Sequence, residues 1–499
     1  MRRETRLERA ADILTGLMLA LMLGVCLCAS VTAYGLKHEG LWQQPLWLIP
    51  GAAALLLLAA GLRLLRRRPR RRIPLWSATA VLFCLLFLYQ CQLAQTAPWD
   101  GYILYTDTGR VAADDGVGNL TLYLSYYPNN RLLAAAELIV WKLTLLLGGG
   151  SAYLPLLALN CAMTAAAFHL LHRTAELATG SRAVAWLAWL LCVVFIGLNP
   201  IVSVIYSDVP AMLLICLGLY LTERFRRTEH RLRTLALLGV TAVLAWKLKP
   251  QAAIVEIAAA LLVLLPEAFT LRRAPLRVLK GAACLLLAAA LTLGAVSALC
   301  AILPQSSDPS LAVGPTHYLM MGLNPDTMGA YSAADLQLTE SFAAGSDRVI
   351  GNLSIAWQRM KKMGFTSLLL HELRKLTTCS ADGTLGWIEY VSPKGMPYWT
   401  ETPLTVSAVS EPLRNAVQSD AWFCVWQALW LGLLGFSLLS CFRADGLSVA
   451  RLTVFGLILF LLIFETGSRY VFQASPLFCL LAASGLQRFA ARPRKETVR

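Results

Sequence analysis

Charged residues are scarce in this sequence, and acidic residues are the scarcest of them. Asp, Glu, Lys and Arg make up 15% of the 499 residues, and only 29 residues are acidic. A soluble domain carries about 25% charged residues, so this composition excludes an ordinary soluble protein. Because 57% of the residues are hydrophobic and the mean hydropathy is +0.59, the sequence predicts a polytopic membrane protein.

Motifs for metal clusters and disulfide frameworks are also missing. None of the 13 cysteines belongs to a CxxC pair or to a Cys/His cluster with the spacing of metal ligands. All except Cys379 fall in hydrophobic stretches, where cysteine behaves as a small apolar side chain. The cysteines therefore predict packing and exclude a disulfide scaffold.

The net charge of +15 does not indicate nucleic-acid binding. No basic stripe with interleaved aromatic residues is present, which such binding would need. The Arg and Lys residues stand instead in short runs between apolar stretches, as the positive-inside rule expects of cytoplasmic loops. We therefore expect the partner of this chain to be the lipid bilayer and not a nucleic acid.

The hydrophobic runs predict twelve transmembrane helices, each long enough for a hydrocarbon core of about 30 Å. They lie near 11–36, 41–65, 75–95, 152–171, 183–203, 208–224, 235–250, 251–268, 281–303, 421–441, 451–467 and 471–488. The basic runs 66–72, 224–233, 272–280 and 488–499 are then cytoplasmic, as are both termini. The prediction is an all-α, multi-pass protein of the cell membrane.

The stretch 131–149 is apolar but contains Glu137 and Lys142. Counting it as a span would turn the basic run 224–233 and the basic C-terminus outward. We therefore predict a juxtamembrane or re-entrant helix on the outer side, ended by Gly148-Gly149-Gly150.

Four regions follow from this topology. They are a two-span N-terminal addition with a basic loop (1–74), a transmembrane core with a first outer loop at 95–150 (75–303), an outer region (304–420) and C-terminal helices with a basic tail (421–499). Within the outer region, 352–376 mixes apolar and basic residues. That pattern is typical of helices lying over anionic headgroups, and a solvated helix is the alternative.

Asp100 is the first candidate for chemistry, since it stands just past a span in Ala97-Pro98-Trp99-Asp100-Gly101-Tyr102. Trp99 and Tyr102 are natural interface anchors, and a carboxylate held at that depth can act as a general base on a hydroxyl. Asp107, in Tyr105-Thr106-Asp107, is a rival. Two solvated loop aspartates are the alternative interpretation.

Asp208 and Lys249 stand at two other predicted outer loops. Asp208 precedes Val209-Pro210 and fits either an ordinary helix N-cap or a ligand for a divalent cation such as Mg or Mn. Lys249 lies against the positive-inside bias, which indicates a bound anion such as a lipid phosphate; a snorkelling lysine is the alternative.

A third polar hairpin runs from Glu465 to Tyr470. Arg469 offers a planar fork for phosphate, and Glu465 is four residues away and can orient it. A purely structural Glu–Arg pair fits the same spacing.

Taken in order, these positions resemble the GT-C superfamily of membrane glycosyltransferases, in its bacterial family 39 / protein O-mannosyltransferase-like branch. The resemblance covers roughly 95–480. It is carried by Trp99-Asp100, Tyr126-Tyr127-Pro128-Asn129-Asn130, Tyr206-Ser207-Asp208, Lys249-Pro250, the run His317 to Asn324 with Gly329 and Tyr331, Asp382-Gly383-Thr384 and Ser468-Arg469-Tyr470.

The resemblance implies a GT-C-like fold and a mannosyltransferase-like activity. The donor would be a polyprenyl-phosphate-linked sugar, and the acceptor a hydroxyl on a lipid, glycan or protein at the outer membrane surface. By resemblance, Asp100 is the catalytic base with Asp107 as the rival, and Asp208 is a metal-linked acidic position. Lys249 and Arg469 would contact the lipid phosphate, and Glu465, His317 and Tyr206 belong to the substrate-binding set.

Two other functions keep the same topology. A transporter or lipid flippase predicts charges in mid-span, broken helices and an internal repeat, whereas here the charges gather at one face. A lipid-linked glycan polymerase or ligase is the second enzymatic alternative.

Overall fold

The computed structural model describes residues 6–37, 74–96, 99–227, 231–271, 274–304, 308–387 and 399–490. Within these residues the chain is helical, and its only β-type pairing is an isolated bridge between Gln95 and Trp399. The predicted span 41–65 and the basic run 66–72 lie outside the described residues.

Every predicted span within the described residues coincides with a helix. Six helices are long and apolar enough to cross a membrane: Arg9–Val31 within the helix Arg6–Lys37, Leu75–Gln92, Tyr153–Thr179, Pro250–Thr270, Pro275–Cys300 and Asp420–Ser440. Shorter apolar helices are Arg182–Gly197, Ser448–Ile463 and Ser475–Gln487, and the helices Asp208–Arg227 and Arg231–Leu248 end in basic residues. An all-α membrane architecture is therefore confirmed, while the number of twelve spans stays a prediction.

The helices run between two ends of a bundle. At one end Arg227 donates to the carbonyl of Ala178 (3.3 Å) and Gln487 donates to Ser181 (3.1 Å). The chain reverses there through Gly180, whose φ of 66° is left-handed, and Ser181 caps the next helix by accepting from the amide of Val184. We call this the basic end, because the arginines of the run 224–233 lie there.

The opposite end carries Asp100, Lys249 and Arg469, and we call it the site face. The helices Asp100–Ala112, Leu120–Tyr126 and Arg131–Leu146 belong to the first loop. The helices Gly314–Gly322, Ala333–Ser341, Ser346–Ser380 and Ser407–Val417 belong to the region 304–420. Which end faces outward stays a prediction from the charges.

The helix Arg131–Leu146 lies beside the helix Asp100–Ala112. Trp141 donates its indole N–H to the carbonyl of Tyr105 (3.0 Å), and its ring fills the space beside Gly109. With 16 residues it extends about 24 Å, which is short for a membrane core and fits the predicted juxtamembrane helix.

The N-terminal helix is held within the bundle by buried polar contacts. Arg451 is fully buried and donates to Asp12 (3.0 Å) and to Asp445 (2.5 Å), and Ser30 donates to the carbonyl of Ser380 (2.5 Å). Breaking a buried ion pair costs about 3–5 kcal/mol. The first helix is therefore packed as part of the core, although the sequence set region 1–74 apart as an addition.

Candidate functional site

The guanidinium of Arg469 lies at the centre of a cluster of aromatic rings on the site face. Its Cζ is 4.3 Å from the ring centroid of Trp99, 5.3 Å from that of Tyr206 and 5.7 Å from that of Tyr470. Stacking on rings fixes the plane of a guanidinium and leaves its edge available to hydrogen-bond an anion. The Nη1 of Arg469 is buried and has no hydrogen-bond partner among the described residues, so the site holds an unsatisfied donor.

Trp99 adopts a strained backbone conformation to reach Arg469. Its φ of 62° and ψ of −142° are unusual for any residue other than glycine, and such a conformation costs about 1–3 kcal/mol. Trp99 immediately precedes the helix Asp100–Ala112, so the same turn sets Asp100 in the first turn of that helix. The positive end of the helix dipole there favours a carboxylate.

Asp100 is half-buried and is held by a chain of hydrogen bonds. The hydroxyl of Tyr206 donates to its Oδ2 (3.2 Å), and the amide of Asn130 donates to the oxygens of Tyr206 (3.4 Å) and Tyr123 (2.5 Å). These groups come from three segments that are far apart in the sequence. Asp100 therefore has a fixed position beside the ring cluster of Arg469.

Lys249 and Asp208 form a buried ion pair. The Nζ of Lys249 donates to Oδ1 of Asp208 (2.5 Å), and both side chains are at least nine-tenths buried. Lys249 stands between the helices Arg231–Leu248 and Pro250–Ala253, where the proline ends the first helix. Its Nζ also lies 5.5 Å from the ring centroid of Tyr470, so the pair borders the Arg469 cluster.

The residues around Asp208 do not fit a divalent cation. An ammonium group already occupies its carboxylate, and a second positive charge beside it would be repelled. Among the described residues no three His, Cys, Asp or Glu side chains lie close enough to hold a metal ion. Asp208, paired with Lys249, therefore does not fit the Mg or Mn ion that the resemblance implied.

We expect the variants Asp208→Asn and Lys249→Met each to be destabilised by about 3–5 kcal/mol, because each leaves an uncompensated buried charge or donor. The double variant should be destabilised by less than the sum of the two. Thermal unfolding of the purified protein in detergent measures this, and Mg²⁺ should leave the wild-type midpoint unchanged. Additive losses, or a midpoint that rises with Mg²⁺, would contradict the pairing.

Glu465 binds Tyr470 and not Arg469 directly. The hydroxyl of Tyr470 donates to its Oε1 (2.8 Å), and the Tyr470 ring in turn stacks near Arg469. Burial raises the pKa of Glu465 to about 7, opposed by that hydrogen bond and by the charge of Arg469 and reinforced by the charge of Asp100. Glu465 thus orients Arg469 through Tyr470.

Asp100 and Asp208 both act on the same guanidinium. Burial by itself lowers the pKa of Arg469, but the negative charges of Asp208 and Asp100, with neighbouring tyrosines, outweigh it and raise the pKa. The two carboxylates come from different loops, and the negative charge of each favours the charged form of Arg469.

Asp107 lies two turns along the same helix and binds its own loop. Its Oδ2 accepts the backbone N–H of Asn119 (2.9 Å), and its side chain is buried. Gly118 has a φ of 52°, and a Cβ there would lie 2.3 Å from Oδ1 of Asp107. These contacts give Asp107 a structural role in closing the loop before the helix Leu120–Tyr126.

We expect Asp107→Ala to lower stability by about 1–3 kcal/mol, since the charge-assisted hydrogen bond from the N–H of Asn119 to the buried Asp107 carboxylate is lost. Gly118→Ala should be destabilised through both positive φ and the clash with Asp107. The matched control is Gly116→Ala, where φ is also positive, at 86°, but nothing lies within 4 Å of the added Cβ. The thermal unfolding midpoint of Gly118→Ala should lie well below that of Gly116→Ala. Equal midpoints would contradict the close contact between Gly118 and Asp107.

His317 lies in the interior of the region 304–420 and outside the Arg469 cluster. Its Nδ1 is 2.7 Å from the hydroxyl of Thr339, which donates to Asn352 (3.0 Å). These bonds join three helices of the region. His317 therefore positions its neighbour Tyr318, whose ring packs edge-on against it with centroids 5.2 Å apart.

Tyr127 and Tyr318 are site residues that were not among the sequence candidates. Burial raises the pKa of both phenols, and the negative charges of Asp100 and Glu465 add to that effect. The resemblance had already quoted the stretches that contain them. Clustered tyrosines in loops predicted to meet at one face were the signal.

The sequence model of a family described as conserved hypothetical integral membrane protein matches residues 62–489. The chain belongs to this family. No curated protein and no solved structure matches the chain. Membership of this integral membrane family agrees with the apolar helices and with a multi-pass position in the bilayer. The match includes all the site residues above and begins after the helix Arg6–Lys37.

Proposed function

We propose that this protein is an integral-membrane glycosyltransferase with a GT-C-like fold. It moves a sugar from a polyprenyl-phosphate-linked donor to a hydroxyl acceptor on a lipid, wall polymer or protein. The observation that carries the proposal is the Arg469 cluster, in which an unsatisfied guanidinium N–H lies beside a positioned carboxylate, Asp100. An anion site next to a base is what transfer from a phosphate-linked sugar requires.

Arg469 binds the phosphate of the donor in this proposal. Its planar group is already oriented by three rings, so little entropy is lost when its edge hydrogen-bonds the phosphate oxygens. Lys249, one ring away across Tyr470, adds positive charge as the phosphate leaves. The electrostatic interactions of Arg469 and Lys249 with the leaving oxygen strengthen as negative charge develops on it.

Asp100 accepts the proton of the acceptor hydroxyl. The hydroxyl oxygen attacks the anomeric carbon, the bond from that carbon to the phosphate oxygen breaks, and polyprenyl phosphate departs. Tyr206 and Asn130 hold the carboxylate in place through their hydrogen bonds. A single displacement of this kind inverts the anomeric configuration and needs no covalent intermediate on the protein.

The proposal assigns the site face to the outer side of the membrane. The basic runs favour the opposite end for the cytoplasm, and nucleotide sugars stay in the cytoplasm, so a lipid-linked donor is required outside. The tyrosines around Asp100 offer flat apolar surfaces for a sugar ring. Tyr123 and Tyr127 of the first loop and Tyr318 of the region 304–420 supply such surfaces.

A lipid flippase or transporter is the second candidate, favoured by Glu256. Both of its carboxylate oxygens are buried without a partner among the described residues, and it lies within the apolar helix Pro250–Thr270. That helix is interrupted by a π-turn at Ala260–Leu264. Intramembrane carboxylates and broken helices are typical of transport pathways.

The two functions separate in one reconstituted system. Purified protein in lipid vesicles receives a synthetic polyprenyl-phosphate hexose and a hydroxyl-bearing acceptor, and mass spectrometry follows both lipids. Transfer releases polyprenyl phosphate and adds one hexose to the acceptor. Movement of intact donor across the bilayer, with no release of polyprenyl phosphate, would favour the flippase and overturn the transferase.

A further inference from the structure

The helix Ser346–Ser380 is bent at Gly364 and forms two arms. Gly364 has a φ of 66° and a ψ of 175°, and nothing lies within 4 Å of where a Cβ would stand. Only the backbone conformation therefore requires glycine here. We call 346–363 the first arm and 365–380 the second arm.

The second arm is fixed to the bundle by its inner side. His371 Nε2 lies 2.9 Å from the carbonyl oxygen of Gly322, and Lys375 donates to the carbonyl of Phe464 (2.9 Å) at the end of the helix Ser448–Ile463. The last residue, Ser380, accepts from the indole of Trp430 (2.7 Å).

These anchors set the depth of the second arm. Trp430 is ten residues into the helix Asp420–Ser440, or about 15 Å below its start. The second arm therefore descends from the site face into the bundle. The side of the arm that faces away from the bundle lies at the same depth as the halves of the membrane helices nearest the site face.

An apolar stripe follows the outer side of the second arm. Phe365, Leu369 and Leu373 recur every four residues and are 83%, 53% and 39% exposed, and Leu370 beside them is 51% exposed. Residues at this spacing share one helix face. Large apolar side chains exposed in a contiguous patch mark a contact surface.

Two lysines stand at the bend beside the stripe. Lys361 and Lys362 are exposed, and the Nζ of Lys361 lies 5.2 Å from the ring centroid of Trp357. Arg359, by contrast, is bound to Asp335 through two hydrogen bonds. Among the described residues neither lysine forms an ion pair.

We propose that residues 357–373 dock on the membrane leaflet at the site face and bind anionic lipid. The stripe lies among acyl chains, while Lys361 and Lys362 contact headgroup phosphates. Apolar residues flanked by lysines are typical of a helix at the membrane interface. Ile463 adds a further exposed apolar side chain at the end of the helix Ser448–Ile463, to which Lys375 is bound. This inference is independent of sugar transfer.

Photocrosslinking in the full chain tests the surface. Benzoylphenylalanine is placed singly at position 369, in the stripe, and at position 367, where the exposed Ser367 lies about 160° around the helix axis from Leu369. Each protein is illuminated in nanodiscs containing phosphatidylglycerol. Lipid adducts should be several-fold more abundant at 369 than at 367; equal yields, or crosslinks to a second copy of the chain, would overturn the proposal.

A second experiment tests the role of Lys361 and Lys362. Lys361→Gln/Lys362→Gln should lower the adduct yield at 369 in phosphatidylglycerol discs and leave it unchanged in neutral phosphatidylcholine discs. The charge control is Lys280→Gln, at the basic end. If the double variant behaves like this control, the lysines do not bind headgroups and the anionic-lipid assignment fails.

Discussion

Asp100→Asn is expected to lower the rate of sugar transfer by about 10²–10⁴-fold, the usual contribution of a general base. The substitution is nearly isosteric and keeps an acceptor oxygen for the hydroxyl of Tyr206, whose bond to Asp100 is 3.2 Å. In the proposed mechanism it removes the group that takes the proton of the acceptor. The loss should therefore appear in kcat more than in KM, measured by hexose transfer in vesicles.

The matched control for Asp100→Asn is Asp107→Asn. Both residues are aspartates of the helix Asp100–Ala112, and Asp107 serves its loop through Asn119. Asp107→Asn should lower the unfolding midpoint while the protein that remains folded keeps its kcat. If Asp107→Asn abolishes kcat and Asp100→Asn does not, the roles of the two residues are reversed.

The helices were predictable because their signal is local. The runs 152–171 and 281–303 are apolar over a length that only a membrane or a bundle core can accept, and the helices Tyr153–Thr179 and Pro275–Cys300 overlap them. The basic runs also predicted which connections between helices lie at the basic end and which lie at the site face. The stretch 131–149 is apolar enough to span, and the juxtamembrane helix is predicted there because a span would turn the basic run 224–233 and the basic C-terminus outward.

The contacts of the site could not be predicted in the same way, because they join residues that are distant in sequence. The pair of Lys249 with Asp208 and the bond of Tyr206 to Asp100 depend on how helices pack. The sequence placed all four residues near one face but did not say which cation each carboxylate meets. From the sequence alone Asp208 therefore fits either a helix N-cap or a cation ligand, and its pairing with Lys249 becomes visible only in the packed helices.

Asp107 shows the limit of motif reasoning within one helix. Seven residues separate it from Asp100, so a helix presents both on nearly the same side, and the sequence could not distinguish them. The distinction lies in the left-handed turn at Gly118, which brings the backbone against Asp107. Gly116-Val117-Gly118 in the sequence was the available signal for such a turn.

Arg469→Lys is expected to lower kcat/KM for the polyprenyl-phosphate donor by about 10²–10³-fold, comparable to the loss of a donor to a developing oxyanion. Lysine keeps the positive charge but lacks the planar group that stacks 4.3 Å from the ring centroid of Trp99. It also lacks the fork that binds two phosphate oxygens. In the proposed mechanism Arg469 binds the phosphate in the ground state and more tightly in the transition state, so we expect KM to rise and kcat to fall.

The matched control for Arg469→Lys is Arg359→Lys. Arg359 also uses its guanidinium fully, binding both oxygens of Asp335 (2.6 and 3.1 Å), but it does so within the region 304–420, away from the cluster. Arg359→Lys should reduce thermal stability and leave the donor KM of the folded protein near the wild-type value. An Arg469→Lys variant with wild-type kcat/KM would show that the guanidinium does not hold the phosphate.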